Sequence, residues 1–541
     1  MLSVQTDASR KRLTLIACIL GSGIALLDGT AVNVALPSIQ DALGGGLAAQ
    51  QWVVNAYLLT LGSLILIGGS LGDLYGERRI FALGVGGFGA TSLLCALAPS
   101  IEVLIAARAL QGVAGALLVP SALAVIVATF DESERGPAIG SWTAWGGIAT
   151  VLGPLAGGEL LAIASWRWIF LLNLPLVIVC VTLILVAIPA TPRPASAARP
   201  RRIDVPGATL CALGLGGPVF ALIEQPRLGW SSPAVLIPLI AGVALLLAFV
   251  AYEWRARDPM LPLGLFRRRN FSAGNVETFA MYAGLAVLFF FLVLFLQQVG
   301  GYTPLQSGLA TLPVTLVMFA LSRRFGALAD RHGPRLFMGL GPLVAAVGLL
   351  LFQRVGTSVD YVTDVLPGLL IFSLGLSMTV APLTAAVLAG AERTQAGIAS
   401  AVNNAVARVA GLIGTAAVGA AIATAFATSL DGNLAGVRLG PAAEATVREA
   451  KRLPLGLPDV SGLPPRQAHA VLSAAEAASV HSFHLGLAIA AVLVALGGIA
   501  GALGVRNPQR VVHASTCEGG ALVGASPEAV AEVAEPVGSS A

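Results

Sequence analysis

The chain has 541 residues, 56% hydrophobic and 11% charged, with mean hydropathy +0.84 and a formal net charge of +4. A soluble domain carries roughly 25% charged residues, so this composition excludes a soluble globular enzyme. It also excludes a disordered or collagen-like chain, despite 63 Gly and 31 Pro, because the apolar runs are too long.

A membrane-spanning helix needs about 20 mostly apolar residues, and the sequence offers fourteen such runs. In chain order, α1–α6 are expected over 13–37, 52–72, 80–98, 103–128, 137–162 and 169–188. Two more, α7 (205–223) and α8 (234–252), follow a basic, proline-stiffened linker at 191–202. The last six, α9–α14, are expected over 271–296, 306–321, 336–352, 362–388, 397–426 and 483–503. The first run follows Arg10, Lys11 and Arg12, as a signal peptide would. It is longer than a secretory apolar core, contains Asp28 and lacks a small-residue cleavage site, so it reads as a retained helix. Residues 427–481 read as a long loop with an amphipathic turn set at 442–452, and 505–541 as a disordered acidic tail. The resulting divisions are a tail 1–12, a six-helix half 13–190, an insert 191–270, a second half 271–504 and the tail 505–541.

Lys and Arg in loops set orientation. With the N-terminus cytoplasmic, inner segments hold 22 of the 32 basic residues, short outer loops hold Arg167, Arg227 and Arg354, and the long outer loop holds five. Both termini are therefore expected in the cytoplasm. The five cysteines show no CxxC and no nearby His, so neither a disulfide framework nor a metal site is expected.

An internal repeat is present. GSLGDLYGERR at 69–79 and GALADRHGPR at 326–335 share G-x-L-x-D-x-x-G and a following Arg. They fall between α2 and α3, then between α10 and α11. A six-helix repeat plus an inserted pair, α7–α8, gives that offset, and repeated halves with the binding site between them are how many secondary transporters are built. The repeat residues Gly69, Asp73, Gly76, Arg78 and Arg79, with Asp330, Arg331 and Gly333, read either as gating elements or as plain polar turns. Asp73 ends α2, where the helix dipole disfavours an anion, so an outside partner is expected. Gly76 permits a tight turn, and Arg78 and Arg79 are placed to meet anionic headgroups.

Asp28 and Arg108 lie inside spans, where each charge costs about 2.5–3.5 kcal/mol on insertion scales. Asp28 sits nine residues before Pro37 and Arg108 eight after Ser100, a depth difference of about 1.5 Å. The two can meet, as a proton-coupling pair or as a structural ion pair. Glu277, Asn403, Asn404 and Arg408 form a second polar set, with Glu277 a candidate partner of Arg408 or second proton site. Residue counting places Glu277 about 10 Å shallower. Pro154 removes the helical bond to the Thr150 carbonyl and should kink α5. Gly153 and Gly157 give a G-x-x-x-G face for close helix approach, so Pro154→Ala or Gly157→Leu is expected to impair transport more than insertion. Trp142, Trp145 and the Phe289, Phe290, Phe291 run offer an aromatic pocket for lipophilic cations, or packing and lipid-facing surface.

Several motifs recur in a fixed order: LDGTAVNVALP at 27–37, WVVNAY at 52–57, R-x-x-Q-G-x-x-G at Arg108, Gln111, Gly112 and Gly115, G-P-x-x-G-G at Gly153, Pro154, Gly157 and Gly158, and WRWIFLLNLP at 166–175. On these the chain resembles the major facilitator superfamily, and within it the fourteen-helix drug:proton antiporter family (EmrB/QacA type). The resemblance implies an all-α polytopic membrane protein of two six-helix halves plus an inserted helix pair. It implies export of hydrophobic or amphipathic drugs and antibiotics in exchange for protons, with Asp28 and Arg108 at the coupling site. It also pairs Asp73 with the opposite half as a lock; Leu74 and Glu77 stand where that family has basic residues, which implies a weaker lock in the first half.

No G-x-x-x-x-G-K-[ST] is present. The chain is therefore not expected to be an enzyme or its own ATPase; no cofactor is expected, and the proton gradient supplies the work. Expected partners are a small-molecule substrate, protons and the lipid bilayer, with no nucleic acid and a monomeric state. A dedicated exporter of one endogenous metabolite and a nutrient importer of the same fold remain open. An integral-membrane enzyme or sensor would call for a catalytic set, and the 427–481 loop offers none.

Overall fold

The computed structural model describes residues 7–189, 203–389 and 396–507. The linker at 191–202, the tail beyond 507 and the side chain of Asp73 lie outside the described residues, and with them the expectations about linker, tail and Asp73 partner. Among the described residues, fourteen helices are long and apolar enough to cross a membrane. They are α1 (Asp7–Leu43), α2 (Gly46–Gly72), α3 (Glu77–Ala96), α4 (Ile101–Thr129), α5 (Glu134–Ile163), α6 (Arg167–Ala187), α7 (Val205–Leu228), α8 (Pro233–Arg255), α9 (Arg269–Gln298), α10 (Pro304–His332), α11 (Pro334–Arg354), α12 (Tyr361–Leu388), α13 (Gly397–Asn433) and α14 (Pro465–Gly504).

Local chemistry sets several of their ends. Ser100 caps α4 by accepting the Val103 N–H. Thr303 and Gln306 form a reciprocal capping box, with Pro304 at the first position of α10. Gly76 and Gly333 hold φ of 92° and 84° between their helix pairs, a backbone region that favours glycine.

The repeat read from the loops is written into the packing. In the first half, α1 packs on α5 and α6, α4 on α2 and α3, and α3 on α6. In the second, α9 packs on α13 and α14, α12 on α10 and α11, and α11 on α14. The halves meet along two seams related by the same symmetry, α2 with α13 and α5 with α10. The inserted α7 lies outside the first seam, against α2 and α13, and α8 packs on α7. Trp52 on α2 donates its indole N–H to Glu224 on α7 at 3.2 Å, which fixes the insert to the first half.

The apolar core is asymmetric along the bundle. At the end away from the basic loops one core spans both halves, joining Leu36 and Ile39 to Phe291, Phe295, Phe352 and Phe483. Toward the basic loops it divides into two. One contains Phe81, Phe88 and Ile126, the other Phe271, Val387 and Val402. The halves thus share one large core at one end, while toward the other their cores are distinct, with Leu66 of α2 packed against the second.

Four expectations change. First, α1 runs past Pro37 to Leu43, because one buried proline costs a single hydrogen bond without ending a well-packed helix. Second, α10 extends from 321 to His332, carrying Arg323 and Arg324 on a helical turn too polar to register as membrane span. Third, the long loop is shorter. α13 runs to Asn433 and α14 begins at Pro465, since their alanine-rich ends favour helix without being apolar enough to span. A helix Pro441–Ala450 lies between them, held by a small core around Phe426, Leu430, Val447 and Val471. Fourth, Arg78 has a partner within the protein. It donates to the Leu185 carbonyl at 2.9 Å, capping α6, while its repeat counterpart Arg335 donates to Ala502 at 2.6 Å, capping α14. Free carbonyls at a helix end are a ready partner for a guanidinium.

The same loop crosses to the first half. Leu47 donates its N–H to the Arg452 carbonyl at 3.3 Å, and Leu455, with φ 66°, is fully buried in the shared core. A β-carbon on Gly46, which has φ +67°, would lie 2.2 Å from that carbonyl. Gly46→Ala is therefore expected to cost about 1–3 kcal/mol through strain and lost closure, read as a lower thermal midpoint of the purified protein.

Candidate functional site

Asp28 is fully buried on α1, and five helices build its surroundings. Arg108 of α4 donates through Nη1 to Asp28 Oδ2 at 2.5 Å. Asn173 of α6 donates to Oδ1 at 2.9 Å and Gln111 of α4 at 3.2 Å. Ser92 of α3 accepts from both amides, at 3.2 Å from Asn173 and 2.8 Å from Gln111. The guanidinium also donates to the Val53 carbonyl of α2 at 3.1 Å and to Gln111 Oε1 at 2.6 Å. It stands 4.4 Å from the centre of the Tyr57 ring, within cation–π range. A desolvated ion pair is tolerable only when its remaining donors and acceptors are met, and here the carboxylate has three donors.

The charges meet although Pro37 is not the end of α1, so the depth comparison made from that residue used the wrong landmark. Asn173 and Ser92 escaped sequence reasoning. Asn173 was visible as the lone amide in the apolar run of α6; Ser92 carried no signal, since single serines are common in spans.

Between the halves lies a cleft that is partly open to solvent. Asn33, Tyr57, Arg108 and Trp142 line it from the first half, and Phe289, Phe290, Arg408 and Thr415 from the second. Asp28 is not part of the lining; Arg108 and Tyr57 stand at the wall in front of it. No residue of α7 or α8 lines the cleft. Trp142 is held by its indole N–H donating to Ser22 Oγ at 3.0 Å. Trp145 does not belong to the pocket: three residues on, its ring turns out of the bundle and is 53% exposed. Phe291 is buried in the shared core.

The second polar set separates. Of its four members only Arg408 lines the cleft. Asn403 donates to Thr278 at 2.7 Å and Asn275 at 3.2 Å, tying α13 to α9, and Asn404 donates to its own helix at Ser400. Glu277 does not pair with Arg408. It is fully buried, neither carboxyl oxygen has a hydrogen-bond partner, and it faces α11 and α14. The position of a Gly501 β-carbon would be 2.2 Å from Glu277 Oε2 and 2.8 Å from the Met338 carbonyl. That carbonyl lacks its helical donor because the residue four on is Pro342. A neutral acid or an amide can donate there. Glu277→Gln is therefore expected to insert and fold normally, and Glu277→Leu to lower the thermal midpoint; equal midpoints for the two would refute this.

The α5 motif sits at two close helix contacts. β-carbons added at Gly153 and Gly157 would meet Leu27, Thr30 and Ala31 of α1. One at Gly158 would come within 2.5 Å of Leu305 backbone across the α5–α10 seam, and one at Gly308 within 2.8 Å of the Pro154 carbonyl. The loop motifs lie far from this region. Gly69 packs beside Pro120 of α4, Arg79 and Arg331 are exposed, and Asp330 is half-buried.

Residues 18–415 match the Major Facilitator Superfamily. A puromycin resistance protein of Streptomyces alboniger is 38% identical over 397 residues, covering 73% of this chain and 78% of its own. A tetracenomycin C resistance and export protein of Streptomyces glaucescens is 32% identical over 503 residues, covering 92% of each. Among solved structures, an auto-inhibited POT family peptide transporter superposes with TM-score 0.61 at 14% identity, over 93% of this chain and 99% of its own; that likeness concerns the fold alone. Fourteen membrane-length helices in two repeated halves, a central cleft between them and the motifs of α1, α4 and α5 agree with these matches: the chain belongs to the Major Facilitator Superfamily, among its antibiotic-resistance and export proteins.

Proposed function

We propose that this protein exports hydrophobic or amphipathic small molecules, antibiotics among them, across the bacterial cell membrane in exchange for protons. The observation that carries the reading is the Asp28 network: a titratable carboxylate, fully buried at mid-span, held by Arg108 at the wall of the central cleft. Resistance and export relatives spanning most of the chain support the direction and the class of cargo. The basic end of the bundle faces the cytoplasm in this reading, following the distribution of Arg and Lys, so the divided core leaves the cleft loading from the cytoplasmic side.

Proton exchange then proceeds by competition at one carboxylate. Charged, Asp28 holds Arg108, Gln111 and Asn173 in place; protonated from the opposite side, it releases the guanidinium and the helices that carry it. The gradient supplies the work without a cofactor. The test compares susceptible cells with and without the protein against a panel of antibiotics and dyes, alongside substrate-induced proton movement in inverted vesicles. Broad protection with proton movement is expected. Protection against a single compound would indicate a dedicated exporter, and raised uptake of a labelled nutrient would reverse the direction.

A further inference from the structure

We propose that the cleft selects amphipathic anions, whose acidic group pairs with Arg408 while the apolar body lies against Trp142, Phe289 and Phe290. This rests on the exporter reading above and names its cargo by charge.

The inference follows from charge accounting at the wall. Two guanidiniums, Arg108 and Arg408, line the cleft, and no lining residue is a carboxylate. Arg108 is already neutralised by Asp28 behind it. Arg408 has neither hydrogen bond nor ion pair among the described residues, and its Nε is buried without an acceptor. Arg is charged at every physiological pH and offers five donors in a planar fork matched to carboxylates and sulfonates. An unpaired cation inside a membrane is costly and is retained where it meets a partner or a water-filled path.

The placement of the other walls completes the site. Arg408 projects from α13 opposite Gly62 of α2, where a side chain would stand 3.3 Å from the Arg408 β-carbon. The seam leaves room for the guanidinium because α2 carries no side chain there. Phe289 and Phe290 reach the cleft from α9, and Trp142 from α5. The aromatic wall alone suits an organic cation as well as an anion, through cation–π attraction. The uncompensated guanidinium decides between them, since a cation brought beside it is repelled in a medium of low dielectric. The expectation of a lipophilic-cation pocket, drawn from aromatic residues alone, omitted this charge.

The experiment uses three naphthalene dyes of similar size: an anilinonaphthalene sulfonate, its uncharged parent and a quaternary-ammonium derivative. Binding is read by fluorescence on the purified full chain, and pumping in energised inverted vesicles. The sulfonate is expected to bind tightest. Arg408→Gln should weaken it by about tenfold or more while leaving the uncharged dye unchanged, and Arg408→Lys should restore part of the loss. Preference for the quaternary ammonium dye, or a sulfonate affinity indifferent to Arg408→Gln, overturns the inference while leaving the exporter reading intact. Arg408-dependent sulfonate binding with no pumping in energised vesicles overturns the exporter reading while the charge preference stands.

Discussion

Asp28→Asn is expected to reach the membrane at wild-type levels and to lose proton-coupled export entirely. Folding survives because the guanidinium keeps three partners that the substitution does not touch: the Val53 carbonyl, Gln111 Oε1 and the Tyr57 ring. The new amide oxygen can still accept from one of the former donors. Stability falls, since removing one member of a buried ion pair costs about 3–5 kcal/mol when nothing replaces it; those surviving contacts keep the loss toward the lower end. Function does not survive, because an amide cannot take up and release a proton. Arg108→Ala acts in the other sense. It removes the charge that holds the Asp28 carboxylate, so the pH dependence of residual transport should change. The measurement is substrate-induced proton movement in inverted vesicles at matched protein levels. Exchange at the wild-type rate in Asp28→Asn would make Asp28 structural.

The Asp28–Arg108 ion pair was legible in sequence for a physical reason. A charge in an apolar span is so costly that its presence implies a partner, and Asp28 and Arg108 are two such charges of opposite sign in the first half. The network around them was not legible. Gln111 stood in a quoted motif, yet nothing in sequence said that its amide bridges Asp28 and Ser92. Glu277 shows the complementary failure: its charge was conspicuous, and the search for a partner went to a charged side chain, Arg408. Glu277 instead turns toward α14, near Gly501, with no hydrogen-bond partner for either oxygen, and such an orientation leaves no mark in composition. Span boundaries failed where helix propensity and hydropathy part company, at the alanine-rich ends of α13 and α14. Arg78 and Arg335 were seen as a repeat, but their shared task of capping α6 and α14 needed the pairing of α3 with α6 and α11 with α14 to become visible.

Gly158→Leu is expected to stop transport by a different route from Asp28→Asn, by preventing the seam between the halves from closing. The β-carbon position lies 2.5 Å from the Leu305 Cα and 2.8 Å from its N, so the obstruction is backbone and no side-chain rotation relieves it. Across the same seam Gly308 approaches the Pro154 carbonyl, so the two helices are in backbone contact at more than one point. Overpacking a well-filled contact costs about 1–3 kcal/mol, and each 1.4 kcal/mol or so moves a two-state population by tenfold. The closed seam should therefore lose about 5–140-fold in population to the state in which α5 and α10 stand apart. Gly157→Leu presses on Ala31 within one half at 3.2 Å, a looser contact that does not cross the seam, so its effect on closure should be smaller. The readout is labelling of a cysteine at Asn33, in the cleft wall, in a chain whose native cysteines are replaced. A membrane-impermeant thiol reagent applied from the side opposite the basic loops should react faster in Gly158→Leu than in the parent. Unchanged labelling together with wild-type export would show that α5 and α10 do not form the gate.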